Sequence, residues 1–328
     1  MNLHDNQKLF ADAVLATAQH LNINPIFVEK DYWITRSLKL MSESDPDGRA
    51  IFKGGTSLSK AHFIGSRFSE DIDVAIVNAD SLNGNQRKSL IKRLAKSATV
   101  GIDEIPTPGV TSKGSSYYKA IYGYPQLSEL SVPIEGMPVR PGQIMLEINS
   151  FANPYPYVEC QIGNFIGEFL KETGNYEMVA EYGLEEFPMN VLDKKRTATE
   201  KIVSLLRFSL AKDYRQELAK KIRHFYDLYF LMDDMACYEY FHSIEFGNDL
   251  KSLLDHDREM FDKPDGWDKR PVSDSPLFTS LEEVWDKGLS SLYERELSAL
   301  AYKSIPSAKS VINRVSQLMG IIQSLWIR

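Results

Sequence analysis

The chain is predicted to be an α+β protein, with a mixed sheet and helices in its first half and a mainly helical second half. Three observations predict this. Short runs of β-type alternation fall at 50–53, 68–77, 117–124 and 143–151. Helical spacing fills much of the chain between and before them. From Val191 onward the 3.6-residue period dominates, in LDKKRTATEKIVSLLRFSLA, in DYRQELAKKIRHFYDLYFLMD, and again at 279–301 and 306–326. The change of pattern places a boundary near Pro188, giving domains 1–188 and 189–328.

Taken in order, residues 5–21 place Leu9, Val14, Leu15 and Ala18 near helical spacing, and Asn24-Pro25 breaks the run. A second helix from Ile26 turns Val28, Trp33, Ile34, Leu38 and Met41 inward, and the polar cluster at 42–48 is a loop. A short apolar strand at 50–53 leads through Gly54-Gly55 into a helix at 57–63. The strand at 68–77 carries two acids. Residues 86–98 form an amphipathic helix on Leu90, Ile91, Leu94 and Ala98. The strand candidates YYKAIYGY and QIMLEINSF flank a loop at 131–142. Residues 156–187 show no clear period, 256–278 read as loop, and the last helix presents Val311, Ile312, Val315, Leu318, Ile321 and Leu325.

Composition bounds the class. With 328 residues, 43% hydrophobic and 25% charged, the chain has the make-up of a globular protein with a sizeable core, which excludes bulk disorder. Cys160 and Cys237 lie far apart without a CxxC context, against a disulfide scaffold or structural zinc and in keeping with a reducing cytoplasm. No apolar run reaches the roughly 18 residues of a membrane span, and MNLHDNQKLF lacks a signal pattern, so a cytoplasmic protein without membrane contact is expected. The net charge of −7 is unevenly spread: residues 194–223 hold ten Lys/Arg against three acids, a local +7, leaving −14 elsewhere. That segregation makes either one basic surface on an acidic body or a solvated helix face.

The chemistry concentrates at 51–77. In DIDVAI, period two puts Asp71 and Asp73 on one face and Ile72, Val74 and Ile76 on the other. Two carboxylates so held repel unless a cation joins them, and Mg²⁺, with Mn²⁺ as its substitute, takes hard oxygen ligands of this kind. Such a pair is also common on solvated surfaces. Glu147, in the apolar strand QIMLEINSF, reaches the same face if the strands pair, and three carboxylates suit in-line phosphoryl chemistry. As a surface acid on an edge strand it would have no such role.

In GGTS, Gly54 and Gly55 permit close backbone approach, and Thr56 or Ser57 is placed to cap the following helix, whose free N–H groups attract an anion. A plain Gly turn before a Ser cap would look the same. Lys53 and Lys60 are nearby cations, and the Walker A pattern is absent. In the helical half, Lys201 lies beside an apolar stripe. Arg223 and Asp227 are spaced i, i+4, which gives either a helix salt bridge or, with Lys201 on phosphates, a contribution of Asp227 to the site. His224 reads as a packing or surface residue.

Together EKDYW (29–33), FKGGTSLS (52–59), RFSEDIDVAI (67–76), LEI (146–148), TEK (199–201) and RHFYDLYFL (223–231) resemble the AbiEii/AbiGii toxin family of nucleotidyltransferases, on the DNA polymerase β-like fold. The resemblance covers roughly 26–231. It implies that Gly54, Gly55, Thr56 and Ser57, with Lys201, bind the nucleotide, and that Asp71, Asp73 and Glu147 bind Mg²⁺. Asp71, Asp73, Glu147, Lys201 and Asp227 would be the catalytic set. It implies an NTP substrate, a cognate antitoxin acting by contact or through transcription, a role in toxin–antitoxin or phage defence, and an RNA acceptor such as a tRNA 3′ end. The basic residues Lys194, Lys195, Arg196, Lys220, Lys221 and Arg223 would then be the acceptor track. Two other readings stay open: a transferase on the same fold that modifies a protein or small molecule, and a non-catalytic module that binds nucleic acid or an antitoxin.

Overall fold

The computed structural model describes residues 1–127, 130 and 140–326. The expected loop at 131–142 lies, except for its last three residues, outside them. Contacts divide the chain into two units, Met1–Phe63 with Phe68–Asp193, and Ile64–Arg67 with Lys194–Arg328.

In the first unit the alternating segments become strands of one sheet: β1 (Ala50–Lys53), β2 (Asp71–Ile76), β3 (Asp103–Ile105), β4 (Ser112–Lys113), β5 (Tyr117–Gly123), β6 (Gln143–Asn149), β7 (Tyr157–Ile162) and β8 (Phe187–Leu192). Their order is β3-β5-β6-β2-β1-β8-β7, with β4 paired to β5. β2 runs antiparallel to β1 and parallel to β6, while β1 is parallel to β8, so the sheet is mixed and the α+β class holds. The helices are α1 (Gln7–Leu21), α2 (Pro25–Glu43), α3 (Gly54–Lys60), α4 (Gly84–Ala98), α5 (Phe165–Glu172) and α6 (Tyr176–Glu181).

One face of the sheet is the core. Ile72 and Val74, Leu146 and Ile148, and Ala120 and Tyr122 are buried on the side that meets α2 and α4. Both helices start at side-chain caps: Asn24 accepts from the Ile26 N–H ahead of α2, and Asn83 and Gln86 form a capping box ahead of α4. On the opposite face Ile51, Val77 and Leu192 form a small apolar cluster with Tyr157 against it. The two acids of β2 lie on that face, beside the cluster.

Several expectations shift. In α1 the buried face is Phe10, Ala13, Val14, Thr17 and Ala18, and Leu15 is 45% exposed. The Phe10 ring, 4.8 Å from that of Tyr32, sets the phase, which the leucines misreport. The helix after the glycines begins at Gly54 and ends at Lys60 rather than covering 57–63. Strands β7 and β8 occupy the stretch that showed no period. β7 is an edge strand with mostly exposed side chains, and β8 contains Pro188, a residue that argues against a strand on sequence alone.

The second unit is built from α7 (Lys194–Ser209), α8 (Tyr214–Ala219), α9 (Ile222–Asp233), α10 (Met235–Phe241), α11 (Ile244–Met260), α12 (Pro276–Thr279), α13 (Leu281–Val284), α14 (Ser290–Leu300) and α15 (Ala308–Trp326). Its core takes Ile202, Leu205 and Leu206 from α7, Phe225, Leu228 and Leu231 from α9, and Val311, Val315 and Leu318 from α15. Ile322 rather than Ile321 continues the last stripe. The segment expected to be loop at 256–278 contains the end of α11 and buries Trp267 completely. The expected helix at 279–301 is interrupted at 285–289, where Gly288 takes φ 113°. The segment Ile64–Arg67 joins this unit through three links made by its backbone. The Ser66 N–H donates to the Tyr226 hydroxyl (2.9 Å), the Tyr302 N–H donates to the Ser66 carbonyl (2.9 Å), and Arg67 pairs with Ala301. No helix among the described residues is long and apolar enough to cross a membrane.

Candidate active site

Strand register assembles the site of the first unit. Lys53 on β1 faces Asp73 on β2, Asp73 faces Glu147 on β6, and Glu147 faces Lys119 on β5. One row across four strands therefore reads Lys, Asp, Glu, Lys. Asp71 precedes Asp73 by two residues on the same strand and shares its face. The carboxylates that the sequence placed on two separate strands are thus brought side by side. Burial, then the charges of Asp71 and Glu147, push the Asp73 carboxyl up to about 7, against the opposing pull of Lys53 and Lys119. Lys119 Nζ donates to Glu147 Oε2 at 2.9 Å. Burial, the largest single influence, opposes the Lys119 charge, but that bond and the Glu147 charge together outweigh it and leave the amine above its ordinary value. Among the described residues no three His, Cys, Asp or Glu side chains are grouped to hold a metal ion.

The glycine turn is shaped by Asp73. Gly54 has φ 82°, and a Cβ there would lie 2.4 Å from Asp73 Oδ2. Only glycine satisfies both the backbone and the approach. Gly55 follows in the first turn of α3. Thr56 and Ser57 are not the helix cap: that position is Lys53, whose side chain makes no cap bond. Both hydroxyls are buried. Thr56 Oγ1 donates to the Asp71 carbonyl (2.6 Å) and lies 2.9 Å from the Ser69 hydroxyl, while Ser57 Oγ donates to the Gly54 carbonyl (2.9 Å). They tie the turn to the acid strand and to itself.

The EKDYW segment, in α2, clamps both sides of this arrangement. Lys30, fully buried, donates to Glu70 Oε2 (2.5 Å) and to the Arg140 carbonyl (2.9 Å), and Glu70 immediately precedes Asp71. Burial lowers the Lys30 amine against the pull of Glu70 and Asp71. Asp31 pairs with Lys60 at the end of α3 and accepts from the Phe165 N–H (2.9 Å). Lys60 is thereby a structural cation.

In the second unit Asp227 does not make the i, i+4 pair with Arg223. It accepts two parallel bonds from Arg67, Nε to Oδ1 and Nη2 to Oδ2, both 2.8 Å, and Lys201 Nζ lies 2.7 Å from Oδ2. All three side chains are buried. Burial pushes the Asp227 carboxyl upward, but the Arg67 and Lys201 charges overcome it and hold it well below the usual carboxylate range. Burial and then the Lys201 charge keep the neighbouring His224 well below its ordinary value, so it is neutral. Of the basic run, Lys194 pairs with Asp234 (2.6 Å), Arg196 with Glu200 (3.6 Å) and Lys220 with Glu217 (2.6 Å). Lys195 and Lys221 lie over the rings of Tyr240 and Phe208, and Arg223 is half-buried.

Comparison with known families supplies the deciding observation: the model described as nucleotidyl transferase AbiEii toxin, type IV toxin–antitoxin system, matches residues 36–313. The chain belongs to the AbiEii family. It is therefore a nucleotidyltransferase of a toxin family, and this membership implies an NTP substrate and an antitoxin partner. Among solved structures it is similar to MenT4, a nucleotidyltransferase toxin from Mycobacterium tuberculosis H37Rv, at 14% identity and TM-score 0.49, over 94% of this chain and 89% of that one. It is also similar to JHP933 from Helicobacter pylori, at 14% identity and TM-score 0.41, over 91% and 94%. No curated protein sequence matches significantly. In this AbiEii nucleotidyltransferase, sequence reasoning missed Lys119, Tyr117 and Arg67. The first two alternate in YYKAIYGY, so their shared face was readable, but their register against Glu147 was not.

Proposed function

We propose that this protein transfers a nucleotide from an NTP to an RNA acceptor, such as a tRNA 3′ end, with Mg²⁺ or Mn²⁺, as the toxin of a toxin–antitoxin or phage-defence system. The observation that carries the reading is the in-register pair Asp73–Glu147, with Asp71 on the same face and Gly54 against Asp73. The donor set fits a hard cation: two carboxylates share one face, and the half-buried Asp73 sits where its charge is disfavoured without a positive partner. Asp71 and Asp73 would hold the ion, which would neutralise charge on the nucleotidyl group, while Glu147 stands beside them bonded to Lys119.

The chain's own residues do the rest. The first backbone N–H groups of α3, at the Gly54-Gly55 turn, would face the triphosphate, and Thr56 and Ser57 hold that turn in place. Glu147 orients the acceptor hydroxyl and takes its proton. The acceptor oxygen forms a bond to the α-phosphorus as the bond to the bridging oxygen breaks, and pyrophosphate leaves with that electron pair. In the second unit Asp227 holds Lys201. Lys194, Lys195, Arg196, Lys220, Lys221 and Arg223 are assigned to acceptor phosphates; surface pairs such as Lys220–Glu217 are weak enough to exchange partners. The part from 189 onward, helical after β8 ends at Leu192, is proposed as the acceptor-binding lobe, and the cytoplasm as the site of action.

Incubation with α-labelled and, separately, γ-labelled NTP tests this. The α-label should appear at RNA 3′ ends, found by sequencing after brief expression. Label on RNA from the γ-position only, or none on RNA at all, would refute the reading.

A further inference from the structure

The sheet has a polarity across the site. Gly54 presses on Asp73 from the β1 side, Glu147 stands one strand further on, and β5 comes next. In-line displacement places the leaving pyrophosphate and the attacking hydroxyl on opposite sides of phosphorus. With the triphosphate at the Gly54-Gly55 turn, the hydroxyl therefore arrives from the side of β6 and β5.

β5 presents two side chains there that the nucleotide and cation do not account for. Lys119 is opposite Glu147 and bonded to it. Tyr117, two residues earlier and so on the same face, is opposite Asn149. Its phenol is pushed up to about 12 by burial and then by the Glu147 charge, with a smaller contribution from Asp73, which places it in the electrostatic field of the acids. The Phe151 ring lies 6.0 Å from the Tyr117 ring at a 35° tilt, and both rings are partly exposed. Two partly exposed aromatic rings beside a lysine, on the face that carries the carboxylates, match the chemistry of a single nucleic-acid strand. Any base stacks on an aromatic ring, and an ammonium meets the phosphodiester.

We propose that Tyr117, Phe151 and Lys119 form the subsite for the 3′-terminal nucleotide of the acceptor strand, the base on the aromatic pair and the phosphodiester against Lys119. The terminal hydroxyl is thereby delivered to Glu147. The proposal rests on the RNA-acceptor reading above.

The test measures transfer of α-labelled NTP to an RNA acceptor by the full chain and by the variants Tyr117→Leu, Tyr117→Phe and Lys119→Met. Direct NTP binding by calorimetry and the melting temperature are followed alongside. Tyr117→Leu should raise the KM for RNA about tenfold, whereas Tyr117→Phe, which keeps the ring, should stay within about twofold of wild type. Lys119→Met should raise the RNA KM and make binding less salt-dependent. All three should bind NTP like wild type. An unmoved RNA KM in Tyr117→Leu, or a matching loss of NTP binding in folded variants, overturns the subsite while leaving the RNA reading standing. If wild type labels a protein or small molecule and no RNA, both fall. Should Tyr117→Leu fail to fold, Lys119→Met and Tyr117→Phe decide: an unmoved RNA KM in Lys119→Met, or a Phe variant that loses RNA, counts against it.

Discussion

Asp73 and Glu147 stand directly opposite each other on the parallel strands β2 and β6, and the same row continues outward to Lys53 on one side and Lys119 on the other. Two adjacent carboxylates are thus bracketed by two amines. The bracket reduces their repulsion without removing it, since the Asp73 carboxyl is still pushed up to about 7 by burial and its acid neighbours.

Replacing Asp73 or Asp71 by Ala should abolish nucleotide transfer with the fold intact, as read by circular dichroism. Asp73 also sets a pH dependence. Between the ordinary carboxylate range and about 7, the folded protein binds more protons than the unfolded chain, so its contribution lowers stability as pH rises through that window. Melting temperatures in chelator should show this fall, and Asp73→Asn should flatten it. An unchanged profile in the variant would assign the fall elsewhere.

Gly54→Ala should be damaging although it adds one methyl group. The left-handed backbone alone costs about 1–2 kcal/mol for a residue with a Cβ, and the methyl group would also displace Asp73. Transfer should fall more than melting temperature, because the group displaced is the one that the reaction needs.

Asp227→Asn should destabilise the second unit by about 3–5 kcal/mol, because it leaves Arg67 and Lys201 buried with their charges poorly matched. Arg67→Met should act in the same direction. Asp227 contributes stability above the ordinary carboxylate pKa of about 4, and that contribution is lost as pH falls below it. Urea titrations from pH 7 to 3 should show a shallower acid limb in Asp227→Asn than in wild type.

Lys220→Glu should weaken RNA binding and lower the salt slope by about one unit or more, since Lys220 is 64% exposed and its pair with Glu217 is a surface contact. An unchanged slope removes Lys220 from the acceptor track.

The sequence by itself determined the local chemistry. Period two in DIDVAI and QIMLEIN settles which carboxylates share a strand face, because side chains alternate on any extended chain. The buried face of α4 and the Val311, Ile312, Val315 and Leu318 stripe of α15 follow from equally local rules. Tertiary structure decided everything that depends on register or on distant partners. That Asp73 faces Glu147 rests on β2 and β6 being neighbours, although 66 and more residues separate them in the chain by numbering alone. β7 and β8 were illegible because an edge strand needs no apolar alternation, and Pro188 counts against a strand until its place in the sheet is known. Asp227 shows the difference in one residue. Its sequence neighbour at i, i−4 is Arg223, yet its partners are Arg67 and Lys201, because burial selects the cations that can surround a carboxylate without water and sequence spacing cannot see them.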